Sequence, residues 1–116
     1  MRLIALIDTG NTLSELGNNK PVLIAEGEAC RCLLPCDLPL ERPVEAMEIL
    51  NGRGLKGFTL LPYRAVGVQV GLLLALRAEQ IKIGKTIWKN MLVALSPTSV
   101  NDGGGYQALI GGRAWE

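Results

Sequence analysis

Apolar residues run through the chain in short stretches punctuated by glycine, proline and asparagine. Residues 3–7 form the first such run and read as a strand. Leu16-Gly17-Asn18-Asn19-Lys20 is a turn signal, and residues 21–25 read as a second strand, so a hairpin is expected with the intervening loop at its tip. Residues 38–50 contain Pro39 and Pro43 and then Val44-Glu45-Ala46-Met47-Glu48-Ile49-Leu50, which fits a short helix or an irregular strand; a strand is expected. Asn51-Gly52-Arg53-Gly54 marks a turn. Residues 57–61 predict a strand stopped by Pro62. Residues 63–76 predict a hairpin whose tip is flanked by Gly67 and Gly71. Residues 79–83 alternate as a half-buried strand does, Gly84-Lys85-Thr86 turns the chain, and residues 87–95 continue the sheet. Residues 106–112 close the pattern with an apolar run ending in glycine. No internal repeat is present. Short strands with frequent turn signals predict an all-β domain, closed as a small barrel or sandwich.

Length limits this to one domain spanning residues 1–116, with enough chain for a core. Apolar residues make up 48% and charged residues 20%, a balance that excludes disorder. The net charge of +1 provides no basic stripe for nucleic acid. There is no histidine, which removes Ser-His and Cys-His catalysis and most zinc chemistry. Cys30, Cys32 and Cys36 are too few for a closed zinc site without histidine, and their odd number fits thiols packed as small apolar groups in a reducing compartment. No apolar run reaches the length of a membrane span, and Asp8 interrupts the opening apolar stretch where a signal peptide would continue. A soluble chain is expected, with no metal and no cofactor.

The chemistry concentrates at Leu6-Ile7-Asp8-Thr9-Gly10-Asn11-Thr12. An apolar strand here delivers a carboxylate to a tight turn. Gly10 permits the turn and a close approach, and Thr9 adds a hydroxyl beside the acid. Three readings fit: an ordinary strand-to-turn junction, the catalytic loop of an aspartic peptidase, or the Asp-x-Gly-x-Thr phosphate strand-turn of actin-like ATPases. The ATPase needs two lobes, which this length does not supply. Gly84-Lys85-Thr86 is similar to the end of a phosphate loop but lacks the first glycine and the following helix.

Further segments decide between these readings. Ala5-Leu6-Ile7-Asp8-Thr9-Gly10 near the start and Ala108-Leu109-Ile110-Gly111 near the end, with a hairpin between them, resemble a retroviral-type (retropepsin-like) aspartic peptidase. A more particular set is Asp8-Thr9-Gly10-Asn11-Thr12-Leu13, Lys20-Pro21-Val22, Leu61-Pro62-Tyr63-Arg64-Ala65-Val66-Gly67, Leu95-Ser96-Pro97 and Gly105-Tyr106-Gln107-Ala108-Leu109. It resembles the peptidase domain of the sporulation sigma-E factor processing peptidases, the stage II sporulation GA family. The chain departs from that family at Ile110-Gly111-Gly112, which is closer to the retroviral type.

The resemblance implies a closed retropepsin-type barrel with a flap hairpin. It implies an aspartic endopeptidase that removes the pro-sequence of a sporulation sigma factor. Members of the family carry N-terminal membrane spans, so this chain would be a soluble catalytic part working at the cytoplasmic side of a bacterial membrane. The implied catalytic loop is Asp8, Thr9 and Gly10. Gly67, Val68, Gln69, Val70 and Gly71 would form the flap over a peptide substrate, and Asn11, Leu109, Ile110 and Gly111 would support the loop. Asp37 and Asp102 lie in turn contexts, so the second carboxylate is expected from a second copy of the chain in a homodimer. The alternative is a catalytically inactive module of the same fold that binds peptide or dimerises.

Overall fold

The structure, a computed structural model, describes residues 2–8, 21–63, 71–100 and 104–111. Its elements in chain order are β1 (Ala5–Asp8), β2 (Val22–Glu26), a 3-10 helix (Glu28–Leu33), α1 (Pro43–Gly52), β3 (Phe58–Tyr63), β4 (Gly71–Ile83), β5 (Thr86–Ser96) and β6 (Ala108–Gly111). The strands form one mixed sheet in the order β1-β6-β2-β5-β4-β3. The all-β expectation is met in the sheet. Barrel closure is not seen, because β1 and β3 stand at opposite edges of that order among the described residues. The expected hairpin of the first two strands is also corrected. β6 lies between β1 and β2, parallel to β1 and antiparallel to β2.

The strand expected within residues 38–50 is a helix instead. Pro43 stands at its first position, where the missing N–H costs no hydrogen bond. Ala46 and Leu50 then repeat at helical spacing and are fully buried. The end is set by Gly54, whose φ of 67° suits glycine. The Gly54 N–H donates to Asn51 O at 3.1 Å and the Leu55 N–H to Leu50 O at 3.0 Å, the paired bonds of a Schellman cap. Burying a side chain such as Leu50 contributes about 1.5–3 kcal/mol.

β5 explains why the sheet is two-faced. Met91, Leu92, Val93, Ala94 and Leu95 are all buried. Met91, Val93 and Leu95 join Leu23, Leu50, Leu74 and Ile110 in the larger cluster, together with the helix. Leu92 and Ala94 join Val22, Leu61, Leu73 and Ala75 in a second one. Alternate residues of one strand thus serve two apolar layers.

The long hairpin of β4 and β5 turns on Gly84 and Lys85, with Ile83 opposite Thr86. Gly84 has φ 61°, as the first residue of a type II′ turn requires. Asn90 interrupts β5 with φ 59°, and the Arg77 guanidinium donates to its carbonyl at 2.6 Å. β3 does not stop at Pro62 but runs to Tyr63. Its only pairing among the described residues is with β4, and an edge strand tolerates a residue that cannot donate.

Candidate active site

The site begins with the parallel pairing of the chain's two distant apolar strands. Ala5, Leu6, Ile7 and Asp8 face Ala108, Leu109, Ile110 and Gly111 in register. The strand end that carries the candidate carboxylate therefore sits beside Gly111. Ile110 anchors the pair with a fully buried side chain, and Leu109 is half-buried. β6 is also tied to β2 through Ile24↔Leu109 and Ala25↔Ala108, which fixes it at the centre of three strands. Four expected site residues, Asp8, Leu109, Ile110 and Gly111, are thus brought together by backbone pairing.

Thr9, Gly10 and Asn11, and the flap residues Gly67, Val68, Gln69 and Val70, lie outside the described residues. Gly71 opens β4 opposite Tyr63, the last β3–β4 pair before the connecting residues. A side chain at Gly71 would meet the Tyr63 ring, with Cε1 2.7 Å from the position a Cβ would take. In strand order this hairpin is separated from β1 by β6, β2 and β5.

Other charged groups have structural tasks. Asp37 is on the surface and takes the Arg31 guanidinium at 3.4 Å. Arg31 also bridges Glu28 at 2.9 Å and donates to Leu38 O at 2.7 Å, pinning the 3-10 helix to the loop that follows. The Glu26 carboxylate accepts from Ser99 Oγ and the Val100 N–H, each at 3.0 Å, and so holds the segment after β5. Among the described residues no group of three or more acidic or thiol side chains is arranged for a metal ion. An apolar groove of about 570 Å³, lined by Leu3, Ala5, Leu23, Cys30 and Ile81, lies at the end of β1 remote from Asp8.

Sequence reading did not single out Gln107 as a site residue, although it stands in one of the segments carrying the resemblance. Its amide Oε1 accepts the Ile4 N–H at 3.1 Å, and its own N–H donates to Ile4 O at 2.9 Å. An amide directly before a short apolar strand is the signal that could have found it.

The family model for peptidase U4, described as Sporulation factor SpoIIGA, matches residues 1–113. The chain belongs to the SpoIIGA family. No curated protein and no solved structure matches it. Among the described residues no helix is long and apolar enough to cross a membrane.

Proposed function

We propose that the chain is an aspartic endopeptidase, retropepsin-like in its site, that acts as a homodimer and removes the pro-sequence of a sporulation sigma factor. The observation that carries this reading is the pairing of Asp8 with Gly111. It sets the strand that leads into the Asp-Thr-Gly sequence against an apolar-apolar-Gly strand, and the two sequences are the combination on which the retropepsin resemblance rests. Each subunit supplies one Asp8. Two carboxylates that face each other cannot both ionise, so the pair holds one proton between them. The ionised partner takes a proton from water, and the protonated one gives its proton to the scissile carbonyl. The β3–β4 hairpin supplies the arms of a flap whose tip, around Val68, Gln69 and Val70, pairs with an extended peptide.

The test is cleavage of a sigma-factor precursor by the wild type and by Asp8→Asn, with the mass in solution measured at the same concentrations. Cleavage should rise with dimer formation, follow a bell-shaped pH profile, and fall by at least about 100-fold in Asp8→Asn. Cleavage that persists in Asp8→Asn overturns the aspartic mechanism. A dimer that binds precursor without cutting it would make the chain a binding module.

A further inference from the structure

Resting on that reading, we propose that Gln107 is a positioning residue that sets the register of β1 and, through it, the place of Asp8. The need for such a device follows from burial. A strand's register is firmly specified where one of its faces is buried, because a slip then exposes the apolar set. β1 has that protection only at its start, where Ala5 and the preceding Leu3 pack half-buried against the larger cluster. Leu6 is 42% exposed and Ile7, its neighbour on the opposite face, is 50% exposed, while Ile4 is 63% exposed. β6 is held by its buried Ala108 and Ile110 and by β2, but beyond Ala5 the side chains of β1 do little to choose one alignment along it.

Gln107 supplies the choice. Its N–H donates to Ile4 O at 2.9 Å, and its side-chain Oε1 accepts the Ile4 N–H at 3.1 Å. Both backbone groups of one residue are thus held by one partner, a side-chain amide standing in for the carbonyl that a strand neighbour would offer. The Ala108 N–H adds a longer bond to the same carbonyl at 3.3 Å. Gln107 is itself fixed, since its carbonyl accepts the Glu26 N–H at 2.9 Å and its Nε2 reaches Gly105 O at 3.4 Å. The clamp therefore ties Ile4, which directly precedes β1, to the β2–β6 frame, and Asp8 lies four residues further along the chain at the end of β1. A slip of two residues, which keeps the faces unchanged, would carry the carboxylate about 6.6 Å from Gly111.

Gln107→Leu removes the acceptor at nearly constant size, and Gln107→Glu retains it. Amide hydrogen exchange over residues 4–8, kcat and KM for precursor cleavage, and the denaturation midpoint are measured for both variants. The Leu variant should exchange faster at Ile4 and through β1. Its kcat should fall by about tenfold to 100-fold with KM within about twofold, because a misplaced catalytic group loses rate before binding. The Glu variant should match the wild type in both. Unchanged exchange in Gln107→Leu overturns the clamp. So does a loss of activity no larger than the loss of folded protein, or a Glu variant that behaves as the Leu variant does. The exchange measurement needs no catalysis, so it decides the clamp even if Asp8→Asn still cuts.

Discussion

Gly27 shows how much a single position can be constrained without chemistry of its own. It follows β2, donates its N–H to Ser96 O at 2.8 Å, and lies where an added methyl would meet Leu40 Cδ1 and the Ser96 carbonyl. Leu40 is buried and cannot simply swing away. Gly27→Ala should therefore lower stability by about 1–3 kcal/mol, read from the urea midpoint. Cys30 makes a pH-dependent contribution. Its side chain is fully buried, and burial first, then the nearby Cys32, push its thiol above the ordinary value of 9.0. Because the folded value is the higher one, this stabilisation is complete below about pH 9 and is lost as the pH rises through the folded value. Denaturation midpoints measured from pH 8 upward should fall less steeply for Cys30→Ala than for the wild type. The expectation that the cysteines pack as small apolar groups holds for Cys30 and not for Cys32, which is exposed. At this scale Asp8 and Gly111 were singled out because each closes a short apolar run, Asp8 within an Asp-Thr-Gly sequence. Gln107 and Gly27 were not, since a glutamine and a glycine among polar neighbours look like surface until the partner segments, eighty or more and seventy residues away, are in place.

Among the elements, the strands were legible where turn chemistry bounded them. The Gly84-Lys85 turn fell where glycine put it, and the strand expected over 57–61 begins at Phe58 and runs on through Pro62 to Tyr63. The helix was misread as a strand because Pro43 looks like a helix breaker, while at a first helical position it is favourable. The 46/50 spacing is only two residues long, too little to outweigh two prolines. β5 carries a feature no pattern announces. Asn90 adopts the left-handed region within a strand, and asparagine endures this better than most residues. Asn90→Gly should leave stability equal or slightly higher, and Asn90→Val should lower it by about 1–2 kcal/mol, measured by thermal denaturation. The Arg77 bond to the Asn90 carbonyl would persist in both, since it uses main chain, so the difference between the two variants isolates the backbone.

For the molecule as a whole, the count of strands and the apolar balance were enough to predict a β domain. The order of the strands was not, because it depends on which distant segments meet. Nothing in residues 3–7 and 21–25 says that a strand from the other end of the chain will come between them. Closure failed as an expectation for a related reason. α1 packs against β3 and β4, and the sheet buries its larger apolar face under that helix instead of curling onto itself.

That interposed strand also has a consequence in time. β1 leaves the ribosome before its partner β6, which follows about a hundred residues later. At synthesis rates of about 5–20 residues per second, Asp8 waits several seconds or more before Gly111 can reach it. A half-made chain therefore has the acid but no frame to hold it. On the proposed aspartic mechanism, a chain built in this order cannot begin to cut while it is still being made.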